Sequence, residues 1–308
     1  MTFPDAFLDL AGRVNNWGRW GPADETGTLN LITDEVVRRG VASVQTGRRI
    51  SLTVPLTEDG IAPTQIGRKN PVRTMLSVNQ PLGRNPDGVR FSDDEVSMPL
   101  QCATHWDALA HVSQGGRLYN GHPADSVTEA GAERCGIDKA GTLITRGILL
   151  DVARAKELPR LAPGYPITPE DLDAAERIGG VPVESGDAIL IRTGHMQLVH
   201  EGRIKDYSTG DSPGPGMACA AWFRDRDVSA VATDTIAFEV WPLEDRSVIL
   251  PLHILDLIEM GLTQGQNFDL EALAADCAAD WQYAFLLDAS PLPFVRGLGS
   301  PVHPVAVK

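Results

Sequence analysis

No apolar run approaches the roughly 18 to 20 residues that a membrane-crossing helix needs, and Met1–Leu10 carries acids where a signal peptide has a basic flank and an apolar stretch. Basic charge is also scarce, with 27 Lys and Arg against 41 Asp and Glu and a net charge of −14. Such a field repels nucleic acid and anionic membrane, so neither is expected as a partner. The four cysteines, Cys102, Cys135, Cys219 and Cys277, share no close spacing. That excludes a disulfide framework and a thiolate zinc site, and fits reduced thiols in a cytoplasmic protein. Internal repeats, low-complexity segments and charge blocks are missing too.

What the chain does have is length and apolar content, 308 residues at 43% hydrophobic, enough to bury a sizeable core. It reads as one domain over 1–308. Its 30 glycines and 22 prolines are spread throughout, which predicts many turns and no single linker. Pro55–Asp94 is the most irregular stretch, with Gly60, Pro63, Gly67, Pro71, Pro81, Gly83, Pro86 and Gly88. It is expected to run over the surface as a lid or an oligomer arm.

Helix signals stand in four places. Thr33-Asp34-Glu35 caps a helix to about Gln45, before Gly47, and Thr168-Pro169-Glu170-Asp171 places a cap ahead of proline at the first helical position. Pro215–Arg226 and Asp269–Ala279 show helical apolar spacing. Strands are predicted over Ile50–Pro55, Leu143–Val152, Ala188–Thr193, Val228–Thr233 and Ala284–Asp288, several of them continuous apolar runs suited to strands covered on both faces. Strands and helices interleave, so the class is α/β.

Gln101-Cys102-Ala103-Thr104-His105-Trp106-Asp107-Ala108-Leu109-Ala110-His111 is the one dense cluster of donors, holding two of only seven histidines. On a strand, alternation puts Gln101, His105 and Asp107 on one face, where an imidazole nitrogen, a carboxylate and an amide oxygen can hold a divalent metal with positions left open. His111, past a turn, would stand beside that metal as a base. The spacing alone also fits the polar edge of a core strand. Cys102 falls on the opposite face of such a strand, away from a nucleophile's role.

These eleven residues resemble the His-x-Gly-Thr-His-x-Asp-x-Pro-x-His signature of the putative cyclase family, which includes kynurenine formamidase and isatin hydrolase. Thr104, His105, Asp107 and His111 match directly. Gly147–Val152, Gly186–Gly194, His253 with Asn267–Leu270, and Gly299–Val302 resemble further family segments in order, so the likeness runs from about Asn16 to Val307. Three positions depart from the signature: Gln101 replaces the first histidine, Ala103 the glycine and Leu109 the proline.

The resemblance implies the swivelling β/β/α fold of kynurenine formamidase, a mixed sheet with flanking helices, and a homodimer or homotetramer. It implies metal-dependent hydrolysis of an amide, formamide or cyclic amide of a small molecule, with Gln101, His105 and Asp107 as metal ligands and His111 as base. Asp211-Ser212-Pro213-Gly214 falls where relatives with two metals place a histidine and offers none, so one divalent metal per chain is expected. A donor set of one imidazole and two oxygens tilts the choice slightly to manganese over zinc. Lactone or ester hydrolysis, a polyketide-type cyclase and a non-catalytic binding protein on the same fold are the alternatives. Trp17 and Trp20 are candidates for an aromatic rim on the substrate, or for anchoring the N-terminal segment. Trp106 is a candidate for pocket wall or core, and His253 for substrate contact or helix start.

Overall fold

A computed structural model of the chain describes residues 3–62, 66–85 and 87–308. Residues 63–65 and 86, inside the irregular Pro55–Asp94 stretch, lie outside the described residues. The strands that matter here are β1 Arg49–Ser51, β2 Val72–Pro81, β3 Arg90–Ser97, β4 His105–Asp107, β5 Ile144–Asp151, β6 Ala188–Arg192, β7 Ala230–Thr233, β8 Thr263–Gln266, β9 Ala284–Asp288, β10 Gly299–Pro301 and β11 Val305–Val307. The main helices are α1 Asp5–Val14, α2 Asp34–Ala42, α3 Pro169–Gly179, α4 Cys219–Asp225 and α5 Glu271–Asp280, with a π-helical segment at Ile254–Met260.

The main sheet is mixed, in the order β1-β11-β9-β5-β6-β7-β8-β4-β10. Its centre, β5 to β8, is parallel, and the flanking pairs are antiparallel. The parallel strands β5, β6 and β7 are buried throughout or nearly so, which is why their sequences read as continuous apolar runs. On one face Ile148, Leu150, Ile189, Ile191 and Val231 pack with α1, α3, α4 and the π-helical segment. On the other, Leu149, Leu190, Ala230, Ala232 and Trp106 pack with α5. At Gly265 on β8, an added Cβ would sit 2.6 Å from the Trp106 ring, so the indole lies where a side chain would be.

Local chemistry accounts for most element boundaries. Thr168 and Asp171 form a reciprocal capping box at the start of α3, and Gly180 at φ 65° ends it. The Thr33 hydroxyl caps α2. That helix stops at Ala42, before the expected Gln45, because the amides of Thr46 and Gly47 bond to the Lys308 carbonyl. α4 begins at Cys219, since Gly214-Pro215 is drawn into a short parallel bridge with Pro166-Ile167. β1 is shorter than the predicted Ile50–Pro55, since the Val54 amide leaves the sheet to bond the Thr104 hydroxyl.

The Pro55–Asp94 stretch is more regular than its composition suggests. β2 and β3 pair into an antiparallel ribbon with register shifts at Met75/Ser77 and Ser77/Gln80. All but Ser77 of its residues are exposed, among them Val72, Met75, Leu76, Val78, Phe91 and Val96. Among the described residues, no helix is long and apolar enough to cross a membrane.

Candidate metal centre

The central strands run parallel, so their C-terminal ends share one edge, and β4 enters antiparallel beside the last of them. His105 on β4 faces Gln266 at the end of β8. Alternation then puts His105, Asp107, Gln264 and Gln266 on the face covered by the π-helical segment, and Trp106 on the other.

Trp106 is fully buried, its indole N–H donating to the Ala289 carbonyl at 2.8 Å and its ring edge-on to Phe268. It is core, and the expectation of a pocket wall is corrected. Gln101 is also corrected in its setting. It lies in the turn before β4, because Ala103 adopts φ 55° and breaks the strand. Its side-chain amide nonetheless reaches Gly299, the cross-strand neighbour of Asp107, where an added Cβ would meet Gln101 Nε2 at 2.7 Å.

The turn is held tightly. The Ala103 carbonyl accepts from His105 Nδ1 and from Asn267 Nδ2, each at 2.8 Å. The Thr104 hydroxyl donates to the Asn267 carbonyl and accepts from the Val54 amide. The family glycine that Ala103 replaces is explained by the left-handed φ, which glycine adopts freely.

A carbonyl can only accept, so His105 Nδ1 carries a proton, and in the neutral ring the Nε2 lone pair points inward. That nitrogen stands 3.5 Å from Asp107 Oδ1. Both atoms are buried and lack hydrogen-bond partners. With the ring neutral, these two acceptors facing each other in a buried space repel unless a proton or a metal ion lies between them. Gln266 Nε2 donates to the other Asp107 oxygen at 2.7 Å, which leaves Oδ1 directed at His105. The pair therefore fits a divalent ion, and a carbonyl bonded to the far ring nitrogen is the support a metal-ligating histidine commonly has. Among the described residues, no group of three His, Cys, Asp and Glu side chains is arranged to hold a metal. An ion here would draw its remaining ligands from an amide such as that of Gln101 and from water.

Two more histidines close on Asp107. His111 Nε2 is 3.8 Å from Oδ1 with its side chain 21% exposed, and His253 Nε2 is 4.0 Å from Oδ2. His253 opens the π-helical segment and its Nδ1 bonds to Glu239 at 2.5 Å, while the other Glu239 oxygen accepts from the Leu252 amide. Burial pushes the Asp107 carboxyl up, but His111, His105 and His253, when they carry a second proton, outweigh it and hold it well below the usual carboxylate range. Burial drives His111 down despite Asp107, with His253 and Arg68 adding to the effect, which favours the neutral imidazole that can accept a proton. Burial also lowers His253, but the bond to Glu239 more than offsets it and the net shift is upward.

The other aromatic candidates lie elsewhere. Trp17 donates to the Ile258 carbonyl at 2.7 Å and packs between two core clusters, anchoring the N-terminal segment on the π-helical turns. Trp20 is half-buried under the Arg19 guanidinium. Cys102 sits in the turn, not on a strand, and burial pushes its thiol up, against the pull of Arg68. Glu239, Gln266 and Arg68 were invisible to spacing arguments, since each reaches the site from a distant part of the chain.

Residues 50–240 match the family model described as Putative cyclase. A crystal structure described as a novel cyclase is 34% identical, with a TM-score of 0.89 over 97% of this chain and 99% of that one. Isatin hydrolase A from Labrenzia aggregata, bound to benzyl benzoate, is 20% identical, with a TM-score of 0.64 over 86% and 94%. Isatin hydrolase A from Ralstonia solanacearum is 19% identical, with a TM-score of 0.61 over 88% and 95%. These two share the fold, in agreement with the mixed sheet and flanking helices expected. No curated protein is significantly similar to the chain.

Proposed function

The chain belongs to the putative cyclase family, and from that premise we propose that it is a metal-dependent hydrolase cleaving an amide, formamide or cyclic amide bond of a small molecule. The observation that carries this reading is the buried pair of facing acceptors, His105 Nε2 and Asp107 Oδ1, 3.5 Å apart and without hydrogen-bond partners. His105 and Asp107 are the ligands, with the Gln101 amide as third donor. A divalent ion bound there supplies a Lewis acid that activates water or polarises an acyl carbonyl. One imidazole with oxygen donors favours manganese over zinc, at one ion per chain.

His111 is the base. Its Nε2 borders Asp107 and its side chain is partly exposed, so it can take a proton from water and return it to the leaving nitrogen. Ala103 and Gln266 orient the ligands, and the Glu239–His253 pair holds a positively biased imidazole against the second Asp107 oxygen. The exposed β2–β3 ribbon is the arm through which we expect copies to assemble as a dimer or tetramer, since an isolated two-stranded ribbon is marginal in water. A cytoplasmic setting suits the four free cysteines.

The test is hydrolysis of a panel of formanilides, cyclic amides and lactones by protein supplied with manganese or zinc, before and after chelation. Chelator-sensitive turnover of a carbon–nitrogen substrate is expected. Turnover confined to lactones would transfer the reading to ester chemistry, and turnover that survives chelation would remove the metal from it.

A further inference from the structure

Arg68 comes to the site from the irregular stretch before β2. The residue is half-buried, and its Nη1 donates to the Gln101 carbonyl at 3.3 Å. It makes no ion pair among the described residues. The contrast with the other inward arginines is sharp. Arg146 is bidentate to Asp187 and also bonds Glu184, and Arg192 bonds both Asp151 and Glu271. Among the described residues its one hydrogen-bond partner is that carbonyl, and none of its other N–H donors is buried without a partner, so water serves them and an incoming acceptor can take the water's place.

The surroundings say where it arrives. Arg68 interacts electrostatically with Asp107, His111 and Cys102, so it borders the candidate metal centre on the side of the Gln101 turn. Asp107 is already engaged by Gln266 and bordered by three imidazoles, and it offers no pairing to the guanidinium. We propose, resting on the hydrolase reading above, that Arg68 is the anchor for a carboxylate group of the substrate, so that the enzyme takes anionic acyl compounds in preference to neutral ones. The planar fork matches a carboxylate in two parallel bonds. One guanidinium beside the Asp107 carboxylate, in a chain of net charge −14, matches a single carboxylate group.

Benzoate and its neutral isostere benzamide are suitable probes, titrated calorimetrically into the full chain with and without added manganese. Wild type should bind benzoate in both conditions. Arg68→Ala should weaken benzoate about 10- to 100-fold, Arg68→Lys less, and neither should move benzamide. Thermal midpoints of both variants check that the fold is kept. The same benzoate affinity in Arg68→Ala, an equal loss of benzamide, or no benzoate binding to wild type up to about 10 mM would overturn the proposal. Dependence of benzoate on Arg68 in a protein that hydrolyses nothing would leave the anion anchor standing and remove the hydrolase. Hydrolysis with benzoate binding indifferent to Arg68 would do the reverse.

Discussion

Two of the buried charged clusters in this molecule, around Asp187 and around Asp107, are built on opposite terms. Around Asp187, every oxygen is used: Arg146 donates twice, Arg39 once and the Glu184 amide once, all at 2.6–2.9 Å. Around Asp107, one oxygen accepts from Gln266 while the other faces a bare imidazole nitrogen, and neither of these last two atoms has a partner. The first arrangement ties the strand β6 to α2 and β5. The second is incomplete without something the chain does not supply. Fully paired oxygens mark a structural ion cluster, and acceptors held in place but left unpaired are the arrangement that a ligand can use.

The largest expected effect separates the two clusters by stability. Asp187→Ala leaves the buried Arg146 without its counter-charge and should cost about 3–5 kcal/mol. Asp107→Asn, which keeps an acceptor for Gln266, should stay within about 1 kcal/mol of wild type when both are metal-free. Denaturant unfolding of the two variants measures this directly, and equal losses would erase the distinction. Next comes His111→Ala, which should slow turnover about 10²- to 10⁴-fold while leaving metal bound. A variant with wild-type kcat would take the base away from His111.

Smaller effects sharpen the same contrast. Ala103 occupies φ 55° to present its carbonyl to His105 and Asn267. Ala103→Gly relieves that strain and should gain about 0.5–1 kcal/mol, seen as a higher thermal midpoint, with the site intact. A midpoint that falls instead would show that the turn tolerates alanine without strain. Asp256 lies beneath the site, where burial and the charge of Glu239 push its carboxyl up to about 8, against the bond from Gln264 and the charge of His253. The folded chain keeps a proton there that the unfolded chain sheds near pH 4, by about the usual aspartate value. This contribution to stability is full in acid and is lost as pH rises to and through about 8. Thermal midpoints across that window should fall less steeply in Asp256→Asn, and an unchanged slope would mean that Asp256 ionises freely.

Part of this architecture was legible in the chain itself. The apolar runs at Leu143–Val152, Ala188–Thr193, Val228–Thr233 and Ala284–Asp288 became β5, β6, β7 and β9, because strands covered on both faces leave an unambiguous signal. Alternation also put His105 and Asp107 together on one face. It failed at Gln101, because period-two reasoning assumes a continuous strand and Ala103 takes a left-handed turn. Glycine and proline hid the β2–β3 ribbon, whose exposed apolar residues carry no burial pattern to read. Arg68, Glu239 and Gln266 are brought in by tertiary folding, which no local spacing encodes.

His105 Nε2 and Asp107 Oδ1 are expected to hold a divalent ion between them. Metal content of the purified full chain, measured by plasma mass spectrometry beside His105→Ala, tests it most directly. One equivalent of manganese or zinc per chain is expected in the wild type and none in the variant. No metal in the wild type after incubation with both ions, or an equivalent retained without His105, would contradict it.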